Sequence, residues 1–458
     1  MKNQLMSPQE RRSAFTIALI YSTRMLGLFM IYPIFAAYAQ HLPHSTPFLI
    51  GLALGIYGLT QAILQIPFGM LSDRIGRKTI ITIGLVIFGA GSVVAASSHS
   101  IIGILIGRAI QGCGAVGSSL TALVADSTKD ENRLKAMSIV GMTIGLSFTV
   151  AIIAGPLLNS WISVPGIFWV TSILALVAIV ILWLLVPHVK QVKHGPDSEI
   201  KGHSLFKILR NTELLRLDAG IFLLHATLTA TFLGVPLALQ HAAGVSIDHQ
   251  WIIYLPVMIL SFFFMVPFII IAEAKRKMKQ VFCGAVLVLA ISQGLLWPLH
   301  DSAIVMGFLL FFYFTAFIIL EASLPSLVSK ICPLANKGSA LGIFSSSQFL
   351  GIFFGGIIGG LLFAAFGVDG TFIFAMILSL VWFIIAVTMK TPRHVSTKIF
   401  HADNISNAKK LRDTLLSTDG IIDAVVNKHE HTIYLKVDKQ IVNEESIVNL
   451  LNEGDDNG

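Results

Sequence analysis

The chain has 458 residues, 55% of them hydrophobic and only 12% charged, with a mean hydropathy of +0.79. A soluble domain carries about 25% charged residues, so an ordinary soluble protein is excluded and an integral membrane protein predicted. The formal net charge of +7 comes from Lys and Arg dispersed among short loops and not gathered on one stripe, which excludes nucleic acid as the partner and leaves the lipid bilayer and a small-molecule substrate.

The N-terminus, MKNQLMSPQERRSAFTIAL, runs into an apolar stretch too long for a signal-peptide core and without an A-x-A site, so an uncleaved first helix is expected. Lipid cannot hydrogen-bond a backbone, and the apolar runs are continuous, without two-residue alternation; both facts favour helices over a barrel. Twelve spans are predicted, near 14–39, 48–71, 79–97, 102–125, 136–160, 165–187, 214–239, 249–273, 281–299, 303–329, 338–364 and 370–389. One set of connections carries Lys2, Arg11, Arg12, Arg74, Arg77, Lys78, Lys129, Arg133, Lys135, AKRKMK (274–279), Lys330 and Lys337. The other set (HLPHSTP, SSHS, NSWISVP, HAAGVSIDHQ, HDSA, FGVDG) has no Lys or Arg. The positive-inside rule then places both termini in the cytoplasm, as an even span count also requires.

Spans six and seven are separated by the longest polar connection before the tail. The expected units are a six-helix half at 1–187, a cytoplasmic linker at 188–213, a second half at 214–389 and a soluble tail at 395–454. At an offset of 200 residues QIPFGMLSDRIGRK (65–78) aligns with MVPFIIIAEAKRKM (265–278), so that Asp73 meets Glu273 and Arg77 meets Lys277; at 204, LTALV (120–124) aligns with LPSLV (324–328). Proline, acid and base in matching order indicate duplication, a common plan for transporters. The tail reads as strand, helix, strand, strand, helix, one strand short of a ferredoxin-like split βαβ.

In GMLSDRIGRK (69–78), Asp73 ends span two, and Asp126 ends span four on the same membrane face, so the Arg77 guanidinium can bridge both carboxylates. Gly69, one turn before Asp73, lets another helix approach closely, as does the Gly-rich GIFFGGIIGG (351–360) of span eleven. Four ionisable residues lie at bilayer depth and are functional candidates for that reason: Arg24, Arg108, His225 and Glu321. Two arginines, one imidazole and one carboxyl suit an anionic, zwitterionic or neutral substrate better than a lipophilic dication. His225 and Glu321 are the titratable groups available for proton coupling, although Glu321 also suits a static pair with an arginine. Phe29, Tyr32, Phe35 and Tyr38 are more simply packing than a substrate-stacking stripe.

The motif GMLSDRIGRK resembles motif A of the major facilitator superfamily, and RAIQGCGA (108–115) resembles its motif B; the twelve-helix body is similar to the drug–proton antiporters of that superfamily. The resemblance implies an all-α fold of two six-helix halves in the bacterial inner membrane, no cofactor, and transport driven by the proton gradient. It also implies that spans one, four, seven and ten, which carry the four buried charges, line the central cavity, and that Arg108 serves coupling or cavity electrostatics. Gly69, Asp73, Arg77 and Asp126 would latch span two to span eleven in the outward-open state, with Glu273 and Lys277 as their second-half counterpart. Antiporters of this kind carry a motif C on span five; GLSFTVAIIAGPLLN (145–159) keeps its Gly155 and Pro156 but continues Leu-Leu-Asn where further glycines are the pattern.

The tail resembles heavy-metal-associated domains but lacks their two cysteines. His394, His401, His429 and His431 are scattered substitutes, so no metal site is expected. Regulation through an unknown cytoplasmic ligand, or self-association, is the expected role. The leading expectation is a secondary active transporter exporting a small molecule in exchange for protons. A transporter-like sensor signalling through the tail, or a symporter or facilitator of the same fold, are the alternatives; an enzyme is not expected, because no Ser/His/Asp set, metal cluster or P-loop is present.

Overall fold

A computed structural model describes residues 6–128, 130–187, 208–334, 337–391, 395–401, 408–427, 432–438 and 441. Most of the predicted linker (188–207), Lys2, Lys129, His394, His429, His431 and the final predicted helix NEESIVNLLNE (443–453) lie outside the described residues.

Helix α1 (Pro8–Phe29) starts on a capping box in which Ser7 and Glu10 satisfy each other's backbone N–H groups at 3.2 and 2.8 Å. The first span breaks at Met30–Ile31 and resumes as α2 (Tyr32–Ala39). Pro33 explains the break, since it has no N–H to give the Phe29 carbonyl and its ring crowds that oxygen. Then follow α3 (Pro47–Ile75), α4 (Arg77–Ala96), α5 (Ile101–Cys113) and α6 (Gly117–Asp126), the last two being one span interrupted at Gly114–Val116. Helices α7 (Asp130–Leu185), α8 (Thr212–His241), α9 (Trp251–Ala274), α10 (Met278–Leu299), α11 (Ala303–Ile331) and α12 (Lys337–Val387) complete the apolar body. Among the described residues ten helical stretches are long and apolar enough to cross a membrane, and two of them, Lys135–Leu185 and Gly338–Val387, run for 51 and 50 residues. At about 1.5 Å per residue such lengths reach about 75 Å, more than twice a hydrocarbon core of about 30 Å. Each long helix contains one non-helical residue, Ser163 (φ 57°) and Gly367 (φ 64°), at the expected loops NSWISVP and FGVDG.

Among the described residues seven have positive φ, and six of these fall into pairs: His44 with Gly244, Gly76 with Arg276, and Ser163 with Gly367. Their separations, 200, 200 and 204 residues, are the offsets at which the sequence aligns with itself. Positive φ is costly for residues other than glycine, so its recurrence at matched positions, most closely at Ser163 (φ 57°, ψ 176°) and Gly367 (φ 64°, ψ -151°), marks turns placed alike in the two halves.

The core is centred on α8, almost wholly buried, against which α12 packs so tightly that a Cβ at Gly351 or Gly355 would overlap the carbonyls of Phe222 and Ala226. Helices α3 and α12 cross in antiparallel register. A Cβ at Gly51 would overlap the Gly356 carbonyl, Gly55 faces Phe353, Gly58 faces Phe349, and the Ser346 hydroxyl donates to the Ala62 carbonyl at 3.4 Å. From there the two helices part. A Cβ at Gly69 would meet Ser118 of α6 at 3.0 Å, while Gly338 and Gly342 have nothing within 4 Å. At the closed end the Asn159 amide donates to Asp248 at 2.9 Å and the Tyr32 ring meets Phe232 edge-on at 5.7 Å. The glycines of GIFFGGIIGG therefore let α12 pack closely against α3 and α8, at the end opposite motif A.

The tail forms β1 (Val395–His401), α13 (Ala408–Leu416), β2 (Ile421–Asn427) and β3 (Thr432–Asp438), an antiparallel sheet in the order β1-β3-β2. Val395 lies opposite Asp438 and Asn427 opposite Thr432; Leu415, Ile421, Ala424, Ile433, Leu435 and Val437 make its core. A register irregularity between Ile421 and Asp423 re-aims the Asp423 side chain, as bulges do. Its Oδ2 accepts from the Leu334 N–H at 2.9 Å, and Lys436 Nζ donates to the Cys332 carbonyl at 2.7 Å, so the sheet rests on the α11–α12 connection.

Candidate functional site

The first cluster is built by the turn at Gly76, whose φ of 115° only glycine adopts freely. The turn starts α4 with Arg77, a cation at the positive end of a helix dipole, which therefore needs carboxylate partners. Arg77 Nε donates to Asp126 Oδ2 at 2.9 Å and Nη1 donates to Ser72 Oγ at 2.7 Å, and the guanidinium also pairs with Asp73. Ser72 Oγ in turn donates to the Gly69 carbonyl at 2.7 Å. The Asp126 side chain is 6% exposed and that of Asp73 56%, so the Asp126 arm carries the energetic weight. Lys78 reaches the Val186 carbonyl at 2.5 Å and lies over the Trp183 ring, tying α4 to the end of α7.

Gly69, Asp73, Arg77 and Asp126 are thus brought together on the predicted loop, but Gly69 contacts α6 and not span eleven. The reason is geometric, since α3 and α12 have already diverged at that level. In the second half Glu273 pairs not with Lys277 but with Lys330, at 2.5 Å, and Lys330 stands 204 residues after Asp126. The polarity is reversed between the two copies: the acid ends α6 in one, and the base ends α11 in the other.

The four charges at bilayer depth fall into two groups. Arg24 is 2% exposed, and its Nη2 donates to Tyr57 Oη at 2.7 Å and to Gln61 Oε1, while Gln61 Nε2 donates onward to Gln65 Oε1 at 2.8 Å. Arg108 is fully buried; it donates to the carbonyls of Ala53 and Leu54 at 3.4 Å each and to Gln111 Oε1 at 3.1 Å, and its guanidinium carbon lies 5.0 Å from the centre of the Tyr57 ring.

Both arginines therefore surround Tyr57, and neither pairs with Glu321, contrary to the static ion pair considered from sequence. Glu321 instead joins His225 across α12. Gln348 Nε2 donates to His225 Nε2 at 2.8 Å and to Glu321 Oε1 at 3.3 Å, and Glu321 Oε2 lies 3.8 Å from His225 Nε2 without a hydrogen-bond partner. The geometry suits the neutral imidazole with its proton on Nδ1, which faces the Ile221 carbonyl at 3.3 Å. The His225 side chain is 1% exposed and that of Glu321 28%. Gln348 thus holds the carboxyl and the imidazole together by donating one N–H to each, and leaves Glu321 Oε2 facing the imidazole as the titratable oxygen.

Sequence reasoning missed Gln348, Tyr57, Gln61 and Gln65. The available signal was polarity inside apolar helices, with Gln61 and Gln65 one turn apart on one face. Gly155 serves packing, since a Cβ there would overlap the Met30 carbonyl, and the Gly155–Pro156 segment of α7 lies against the break in the first span. The motif B glycines do likewise, Gly112 against the Tyr57 carbonyl and Gly114 against the Gly84 carbonyl. Among the described residues no group of three or more His, Cys, Asp or Glu could hold a metal ion.

The family described as the Major Facilitator Superfamily matches residues 17–355 and 319–419. The inner membrane transport protein YajR of Escherichia coli (strain K12) is 42% identical over 447 residues, 97% of this chain and 98% of that protein. An uncharacterized transporter of Buchnera aphidicola subsp. Schizaphis graminum (strain Sg) is 36% identical over 392 residues, 85% of this chain and all of the relative. Among solved structures, a bacterial homolog of the human lysosomal transporter Spinster, inward-facing and unoccupied, shares the fold with a TM-score of 0.70 at 14% identity, over 84% of this chain and 98% of that one.

Proposed function

We propose that this chain, which belongs to the Major Facilitator Superfamily and is a secondary active transporter and not an enzyme, is a proton-coupled antiporter exporting a small molecule by alternating access. The reading takes each of the two long helices as two spans joined at Ser163 and Gly367, giving twelve spans in two duplicated halves, 1–187 and 214–389, with 188–213 as the linker. The termini and basic loops are cytoplasmic in an inner membrane, and the conformation, open at that end, is inward-facing. The tail, 395–454, is read as ferredoxin-like, and its β1-β3-β2 order supports this.

The observation that carries the coupling is the buried, unpartnered oxygen of Glu321, set beside His225 and Gln348. A carboxyl whose side chain is part-exposed and which lies beside a buried imidazole can load a proton in one state and release it in the other. Flux in reconstituted vesicles tests it: a compound library should contain substrates whose uptake into acid-loaded vesicles rises with the imposed pH gradient. Flux that ignores the gradient, or runs with the proton, would exclude antiport.

The latch of Gly69, Asp73, Arg77 and Asp126 is read as engaging span eleven when the open end closes. The α3–α12 register supports this, because continuing it past Ala62 and Ser346 brings Gln65 opposite Gly342 and Gly69 opposite Gly338, both of which have room for an approaching backbone. Gly51→Val should therefore force the closed end apart at a cost of about 1–3 kcal/mol, whereas Gly338→Val should leave the present conformation untouched and block the alternate one. Both should lower transport at least tenfold. Spin-label distances between positions 44 and 366 should lengthen in the first and stay short in the second; identical distributions in the two variants would refute the register.

A second reading, a transporter regulated through its tail by a cytoplasmic ligand or by self-association, is favoured by the Asp423 and Lys436 contacts to the α11–α12 connection.

A further inference from the structure

We infer that the transported molecule is a small organic anion whose carboxylate is held by the Arg24 guanidinium. The inference rests on the transport reading only in calling the ligand a substrate.

A guanidinium has five N–H donors and stays charged at any working pH, so in a membrane interior it requires acceptors and, for its charge, an anion. Arg24 has spent only Nη2, on Tyr57 and Gln61, both neutral. Its Nε is buried and without a hydrogen-bond partner. Arg108 compounds the imbalance: it faces the same Tyr57 ring, and its other partners are two carbonyls and the Gln111 amide.

Among the described residues no carboxylate lies within ion-pair distance of either arginine, while Glu321 is engaged on the other side with Gln348 and His225. Two buried positive charges share one aromatic residue and lack a counter-charge from the chain. An anionic ligand supplies it.

The two arginines are not equivalent. Nε, Nη1 and Nη2 of Arg108 each have an acceptor, which makes it a fixed source of positive potential behind Tyr57. Arg24 alone keeps unspent donors, Nε and Nη1; both N–H groups of Nη2 are taken by Tyr57 and Gln61, so a carboxylate meets this guanidinium through its uncompensated charge and single N–H bonds. Tyr57 and Gln61 hold the guanidinium plane through Nη2, and Gln65 holds Gln61.

The experiment uses the full-length protein in nanodiscs. Melting temperature is titrated with benzoate, salicylate and hexanoate and with their uncharged primary amides. At least one carboxylate should stabilise the protein with an affinity at least tenfold above that of its amide. Arg24→Gln should reduce that preference to unity, and Arg24→Lys, which keeps the charge but not the planar group fixed by Tyr57 and Gln61, should retain part of it.

The inference is overturned if no carboxylate is preferred to its amide in the wild type, or if the preference survives Arg24→Gln. Should Arg24→Gln not fold, the wild-type preference together with its reduction in Arg24→Lys decides. Vesicle flux separates the two levels. Transport confined to amines or neutral compounds refutes the anion site and leaves the transporter standing. Arg24-dependent carboxylate binding without any flux does the reverse.

Discussion

Glu321→Gln is expected to abolish gradient-driven accumulation while leaving substrate exchange intact. The amide keeps the shape of the side chain and can still accept from Gln348 through its oxygen, so packing around His225 should hold. What disappears is the titratable oxygen that has no partner in the wild type. One pH unit is worth about 1.4 kcal/mol per proton, or about tenfold in a concentration ratio. With the membrane potential clamped and one proton exchanged per substrate, a one-unit gradient should give about tenfold accumulation in the wild type and a ratio near unity in the variant. Counterflow at equal pH should remain within a few-fold of wild type. A variant that still accumulates substrate with the gradient would remove Glu321 from the coupling path and leave His225 as the only titratable member of the group.

Arg77→Ala is expected to be the most damaging change in the motif A loop. It leaves the nearly buried Asp126 carboxylate without the 2.9 Å bond from Nε and removes the bond that Nη1 donates to Ser72 Oγ. Removing one partner of a buried pair costs about 3–5 kcal/mol, mostly the penalty of the orphaned charge. The exposed Asp73 arm adds little.

The diagnostic comparison is the double variant Arg77→Ala with Asp126→Asn, which discards the orphaned charge. Its melting temperature should recover most of the loss, while transport should stay depressed because the latch is still missing. Restored transport would show that the cluster serves only stability. An unchanged melting temperature in Arg77→Ala alone would deny the pair its energetic role.

The same loop shows how far residues could be read without coordinates. The Asp73–Arg77–Asp126 cluster was legible because its parts lie on adjacent spans of one half, where topology leaves few ways to arrange charges at a shared membrane edge. The partner of Gly69 was not, because whether it meets α6 or span eleven depends on the tilt between halves, a global variable with no local signature. The Glu273–Lys330 pair shows a related limit. The offset alignment located Glu273, which keeps the acid of Asp73, but Lys330 stands where the first half has Asp126, and no periodicity reports that change of sign. Gln348 went unread because one amide among SSSQF is ordinary until His225 and Glu321 are seen on either side of it.

The sequence by itself determined the membrane location of the helices, the positions of nearly every turn, the strands and first helix of the tail, and the identity of the buried charges. These follow from local chemistry, since an apolar run of span length or a strand of alternating residues carries its own energetic signature. Only the tertiary structure decided how those charges are grouped: two arginines around Tyr57 on one side, and a carboxyl and an imidazole joined by Gln348 on the other. It also decided which end of the molecule is closed, since that depends on where the glycines of α3 and α12 bring two backbones together. Contacts between helices distant in the chain depend on packing that no single segment encodes.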